Sequence, residues 1–375
     1  MRNSTPAFEV PMSPSVQPYG SHSSWRGVRR YLNEHRHQLA QAADRLYPHL
    51  PKVGSTHLLT REAWTLAHPM ELHRIALRWA DRPPVPVVTG REAEAKAALP
   101  PGIPTYAQAM EALDRPRLFE NRKCYRLLDV AWPELSFTRG HYFDGLDVGE
   151  TAAHEFAAAT LLEVTVRPFR RLVGDPTDLR RRPALPAISM LTLRRDDHTG
   201  TMTFVLHWRD SARVAHGGGL YQVMPVGVFQ PAEETPHAET CDFDLWKCVV
   251  REYAEEFLGR SEAYGDAFDY GTWPLYRELT AARESGRLRS SVLGMGVDPL
   301  TFATDILAVT VIDASVFDTI FSEVTASNEE GHVVGATGIP FDEASVSRYV
   351  HDEPMQAAGA AVLELAWKHR QALVS

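Results

Sequence analysis

The sequence predicts a chain of mixed α/β (α+β) class, with a helical and mixed N-terminal region and a sheet-bearing C-terminal half. Three observations carry this. From about residue 185 onward, strand-like runs alternate with helix-like ones. One strongly amphipathic helix spans residues 242–258. Residues 25–184 show helical periodicity interrupted by proline clusters, with short strands mixed in over about 118–179.

Residues 1–24 are rich in Ser and Pro, lack apolar periodicity and predict a disordered arm. Residues 25–184 form the helical and mixed region. Trp25, Val28, Leu32, Leu39, Ala43 and Leu46 recur at three- and four-residue spacings, which predicts a helix over 25–47. A second helix is expected over 70–79. Pro83, Pro84 and Pro86 read as an extended connector, and Pro100, Pro101, Gly102 and Pro104 as a further break. Helix resumes over 106–113, and the Ala-rich run 149–162 predicts another.

Residues 185–375 are expected to form one domain. Runs 188–194 and 202–209 read as strands joined by a turn at Asp196, Asp197 and Gly200. Run 221–230 reads as a third strand. After the amphipathic helix come a buried strand at 306–312 and a C-terminal helix at 355–373, with Leu363, Leu365 and Trp367 in the core.

Composition bounds the function. Lys and Arg total 39 against 48 Asp and Glu, a formal net charge of −9. That balance argues against broad nucleic-acid binding, which needs a basic face to neutralise phosphates. Hydrophobic residues are 44% and charged residues 23%, values of an ordinary globular protein. No apolar run reaches the roughly 18–20 residues of a membrane span. The first twenty residues lack the apolar stretch of a secretory signal. Cys124, Cys241 and Cys248 form no CxxC pair and read as reduced thiols of a cytoplasmic protein.

The chemistry concentrates in the segment DFDLWKCVVREYAEEFLG, residues 242–259. On a helix, Leu245, Trp246, Val249, Val250, Tyr253 and Phe257 share an arc of roughly 140°. Glu252, Glu255 and Glu256 fall on an adjoining arc of roughly 100°, with Glu256 at the edge of the apolar stripe. Three neighbouring carboxylates repel unless a cation holds them, and oxygen ligands suit a hard cation such as Mg²⁺ or Mn²⁺. The plain alternative is a solvated acidic face.

Arg251 to Glu256, REYAEE, resembles the core of the Nudix box, GX5EX7REUXEEXGU. Arg251, Glu252, Glu255 and Glu256 match its R, E, E and E, and Tyr253 stands at its bulky position. Upstream, Gly227 and Glu233 keep the GX5E spacing, and Pro225 stands where the preceding turn begins. Seventeen residues separate Glu233 from Arg251 where the box has seven, and Gly259 is displaced by one. The resemblance covers residues 185–375 at most. More loosely, residues 100–375 look like uncharacterised actinobacterial proteins of Nudix type.

The resemblance implies a Nudix-like α/β/α sandwich and an Mg²⁺- or Mn²⁺-dependent hydrolase of a nucleoside or other organic diphosphate. Glu252, Glu255 and Glu256 would hold the metal, Arg251 would orient a glutamate by an ion pair, and Gly227 and Glu233 would contribute to substrate binding. Two other outcomes are a non-catalytic module that binds a phosphorylated ligand, and a related enzyme with non-hydrolytic chemistry. The expected partners are a small phosphorylated molecule and a second copy of the chain, with no membrane.

Three further clusters have plainer readings. His216, Gly217, Gly218 and Gly219 form a glycine-rich turn that suits a hairpin more than a phosphate cradle. In the run 141–155, Asp147 is expected to cap a helix with Glu150 in its first turn and His154 packed, rather than a metal site. Arg167, Arg170, Arg171, Arg180, Arg181 and Arg182 read as a solvated basic face or as ion-pair partners.

Overall fold

A computed structural model of the chain describes residues 21–209, 219–260, 264, 268–322 and 331–374. The arm expected over 1–24 lies outside the described residues as far as residue 20. Helix α1 (His22–Glu34) begins earlier than expected, because Ser21 and Ser24 close a capping box at its start. The single helix expected over 25–47 is two: the backbone leaves the helical region at His35 (φ −124°) and α2 (Arg36–Asp44) resumes. Trp25, Leu32, Leu39 and Ala43 are buried as the periodicity requires, while Leu46 is exposed.

The helix expected over 70–79 is not formed. The chain there makes strand β1 (Thr65–Glu71), a 3-10 turn at Leu72–Arg74 and strand β2 (Ala76–Trp79). Both strands pair with distant segments, so tertiary pairing overrides a local pattern compatible with either state. Helices α3 (Ala93–Ala97) and α4 (Tyr106–Leu113) follow the proline breaks. Strands β3 (Lys123–Ala131) and β4 (Glu134–His141) complete a small sheet of order β2-β4-β3. Helix α5 (Tyr142–Leu161) starts ahead of the expected Gly149, because His141 and Asp144 form its capping box. Asp147 is therefore inside the helix and not its cap. Helix α6 (Pro168–Val173) leads into the main sheet.

That sheet contains β5 (Pro186–Arg195), β6 (Met202–Arg209), β7 (Tyr221–Val223), β8 (Val226–Val228), β9 (Leu288–Val297), β10 (Thr304–Asp313) and β11 (Gly331–Pro340). Its order is β1-β9-β10-β5-β6-β11, with β7 on β6 and β8 on β5. The β5–β10 pair is parallel and the other pairs are antiparallel, so the sheet is mixed. The strand expected over 221–230 is divided at Met224–Pro225, where proline has no N–H to continue the ladder. Because β1 comes from the N-terminal region, the 184/185 division marks a change of pattern, and the sheet runs across it.

Alternation along the central strands supplies two apolar faces. Ile306, Ala308, Ile312, Ile188 and Met190 face one core; Leu307, Val309, Val311, Leu191 and Leu193 face the other. Helix α8 (Leu245–Glu252) and α9 (Pro274–Glu284) supply Val249, Val250, Leu275 and Leu279 to the first core, with α7 (Pro236–Cys241) before them and α10 (Ala314–Ile320) after. The second core is closed by α11 (Glu343–Ser347), α12 (Ala357–Lys368) and α13 (Arg370–Val374), and includes Leu363 and Leu365. Among the described residues, no helix is long and apolar enough to cross a membrane.

The N-terminal helices are held by buried charge. Glu150 accepts from Arg29 at 3.0 Å and from Arg36 at 2.9 Å, all three side chains being buried. His154 stacks on Trp25 and bonds Tyr106 Oη at 3.1 Å; burial lowers its pKa to about 3, so it is a neutral packed histidine, as expected. Several of the basic residues are not on a solvated face. Arg170 donates to the Pro299 carbonyl at 2.7 Å and to that of Leu300, and Arg182 donates to the Pro176 carbonyl at 2.8 Å. Both are buried and fasten loops, because their long side chains reach otherwise unfilled carbonyls.

Candidate functional site

Asp244 starts α8 by accepting from Lys247 N at 3.1 Å. The helix then continues into a π turn at Tyr253–Phe257. Such wide turns occur as single insertions in α-helices and are frequent at functional sites. The apolar stripe does what its periodicity requires. Val249, Val250, Tyr253 and Phe257 are buried against the sheet, and Tyr253 Oη lies 2.8 Å from Thr192 Oγ1 of β5. Burial pushes the Tyr253 phenol up to about 12, so it stays neutral and fastens the helix to the strand. Trp246 Nε1 donates to Thr280 Oγ1 at 3.0 Å and ties α8 to α9.

Three of the residues singled out in the sequence come together. Gly227 in β8 lies directly against Glu252: a Cβ built on that glycine would sit 1.8 Å from the carboxyl carbon. Glu256, only 4% exposed, accepts a hydrogen bond from Val226 N at 3.3 Å. Two of the carboxylates thus meet the backbone of one short strand, and only glycine leaves space for the first of them. Glu255 takes a neighbouring direction, where Tyr264 Oη donates to its Oε1 at 3.5 Å. Burial and the adjacent Glu255 charge push the Tyr264 phenol well above its ordinary value. Glu233 lies in the loop between β8 and α7, half-buried.

Arg251 has a different partner from the one the resemblance implies. Its guanidinium is buried, with Nη1 2.5 Å from Tyr270 Oη and 3.6 Å from Asp242 Oδ1, and Nη2 2.5 Å from the Gln230 carbonyl. Burial alone would lower its pKa; Cys248, Tyr270 and Asp242 more than offset this and raise it above the ordinary arginine value. Asp242 is the other hub: it also accepts from Tyr270 Oη at 2.8 Å and from Ala232 N at 2.7 Å. Arg251 therefore locks the inserted loop onto the start of the helix. Tyr270 lies 19 residues beyond Arg251 and outside any motif, and Asp242, although it opens the same segment, has no spacing that marks it as the partner of Arg251. Beyond them Tyr264, Phe268, Tyr270, Trp273 and Tyr276 form a ring cluster, with centroids 4.6 Å apart for Tyr264–Phe268 and 5.1 Å for Tyr270–Tyr276.

As a donor set for a metal, Glu252 and Glu256 would offer carboxylate oxygens, the donor type that suits a hard divalent cation. Among the described residues, no three His, Cys, Asp or Glu side chains converge closely enough to enclose one by themselves. Of the glycine-rich turn at 216–219, all but Gly219 lies outside the described residues. Neither the family models nor the curated proteins include a match to this chain.

Proposed function

We propose that the chain is a divalent-metal-dependent hydrolase of Nudix type, acting on a nucleoside or other organic diphosphate. One observation carries the reading. The Glu252 carboxylate occupies the space that any other residue at Gly227 would fill, with Glu256 on the same strand through Val226 N. That juxtaposition unites the two separated parts of the sequence resemblance, Gly227 and the REYAEE run.

Glu252 and Glu256 are the residues that would hold Mg²⁺ or Mn²⁺, with Glu255 as the third carboxylate of the set. When bound, the ion would neutralise the diphosphate and lower the pKa of an attacking water. The protein's own contribution is positional. Gly227 and Val226 hold two carboxylates at the strand; the Arg251–Asp242–Tyr270 lock fixes the helix start, and Tyr253 fixes its middle. On this reading Gly227 and Glu233 would contribute to substrate binding. A cytoplasmic location and a homodimeric assembly belong to the same proposal.

The insertion between Glu233 and Arg251, which changes the loop beside the carboxylates, favours a second reading: a module that binds a phosphorylated ligand without turning it over. Calorimetry with MgCl₂ and MnCl₂, run beside phosphate release from a panel of diphosphates, separates the two. Hydrolysis that needs the metal and disappears in Glu256→Gln supports the enzyme. Ligand binding with no turnover by any member of the panel supports the module. Neither metal nor ligand binding removes both.

A further inference from the structure

A second site lies in the N-terminal region, independent of the carboxylate helix. A cleft of about 490 Å³ opens between α3, α4 and the start of α5. Its size is that of a small-molecule pocket.

Its polar lining holds three carboxylates, each accepting a hydrogen bond from the chain, and donors with no hydrogen-bond partner. The three carboxylates are already engaged by the chain. Glu111 accepts from Arg115 at 2.9 Å, Asp144 from His141 N at 2.9 Å, and Asp147 from Ala107 N at 2.7 Å. The donors are not. Neither Arg91 nor Lys96 forms a hydrogen bond or a contact ion pair with any described residue, although both line the cleft and the Arg91 charge acts on Asp147. Asn121 uses its Oδ1 to accept from Phe143 N at 2.8 Å, which leaves its NH₂ group as a further donor.

The segment that carries Arg91 is built. Glu92 clamps it by accepting from Thr89 N at 2.7 Å, Thr89 Oγ1 at 2.9 Å and Gly90 N at 3.0 Å. Gly90 takes φ +80° and approaches Asp147 so closely that an added Cβ would lie 2.8 Å from the aspartate Cβ. The backbone that carries Arg91 is thereby fixed at the cleft wall by a turn that favours glycine. Phe143 and Pro104 add an apolar wall.

We propose that this cleft binds a small organic anion, its phosphate or carboxylate group held by Arg91, Lys96 and the Asn121 amide, and its carbon skeleton against Phe143 and Pro104. Guanidinium and ammonium groups form their strongest hydrogen bonds with such anions.

The test is calorimetric titration of the full chain with inorganic phosphate, glycerol 3-phosphate and succinate, each at low salt. At least one is expected to bind, and the pattern among them identifies the anion as phosphate or carboxylate. Arg91→Gln and Lys96→Gln should each weaken that binding about tenfold, the loss of one charge-assisted hydrogen bond. Both side chains are exposed, so the fold is retained, and a melting curve checks it. Glu255→Gln should leave this binding unchanged, which keeps the result separate from the fate of the hydrolase reading. No heat from any of the three anions overturns the proposal. So does binding that persists undiminished in the double variant.

Discussion

Replacing Gly227 by Ala isolates what the glycine does. The new Cβ would begin 1.8 Å from the Glu252 carboxyl carbon and 1.9 Å from its nearer oxygen. An ordinary contact starts near 3.4 Å, so the carboxylate must move by 3.4 − 1.8 = 1.6 Å. The clashing atoms are the far end of a flexible side chain, and Gly227 does not have a positive φ that would strain an alanine. A single rotamer shift relieves the contact, at a cost on the order of 1 kcal/mol. Catalysis is far less tolerant, because misplacing a reacting group by about 1 Å costs on the order of a hundredfold in rate.

The prediction is therefore a split. Gly227→Ala should retain the fold, with a melting temperature within a few degrees of the parent. On the proposed hydrolase reading, metal-dependent phosphate release should fall about a hundredfold, close to the effect of Glu252→Gln. The assay is phosphate release with saturating Mg²⁺, run beside a thermal melt of the same preparation. Full activity in Gly227→Ala would refute the reasoning, since a carboxylate displaced from its strand would then be irrelevant to the chemistry. A collapse of stability without a separate loss of turnover would mean that the glycine serves packing alone.

Other expectations follow from the same geometry. Glu256→Gln keeps an acceptor for Val226 N, so the protein should fold while Mg²⁺-dependent turnover drops by about a hundredfold or more; retained turnover counts against Glu256 as a ligand. Arg251→Met leaves Asp242 buried without its cation, so urea unfolding should show a loss of about 3–5 kcal/mol. Asp147 has its carboxyl raised by burial from 3.8 to about 6, against the opposing pull of the Ala107 N–H. A raised acid contributes stability that is fully present below its unfolded pKa and is lost as pH rises through the folded value. Between roughly pH 4 and 6 this amounts to about 3 kcal/mol, and Asp147→Asn should flatten that part of the stability profile.

How much of this was legible in the sequence depends on how local each cause is. The strands at 188–194, 202–209 and 306–312 carry their own alternation, and they sit in one mixed sheet. The stripe through Val249, Val250, Tyr253 and Phe257 packs as its spacing demands. The apolar residues of the segment 70–79 suit a helical period, yet the end of β1 and all of β2 form there. Their partners are more than fifty residues away for β2 and beyond two hundred for β1, and no local pattern encodes them. The same holds for Tyr270, which becomes a partner of Arg251 only when the segment after the helix folds back over it.

The arrangement of the three glutamates shows where periodicity stops being a sufficient guide. On a regular helix Glu252, Glu255 and Glu256 would share one face. The π turn at Tyr253–Phe257 advances fewer degrees per residue, so positions beyond Glu252 rotate back relative to it. Glu256 then meets Val226 beside Glu252, while Glu255 turns toward Tyr264. Buried Tyr253 and Phe257 hold that extra residue in place by filling the core between helix and sheet. Any metal held here would therefore draw first on Glu252 and Glu256, and Glu255 would act from the side. On that geometry Glu255→Gln should cost less turnover than Glu256→Gln, and equal losses from the two variants would mean that the turn does not separate their roles.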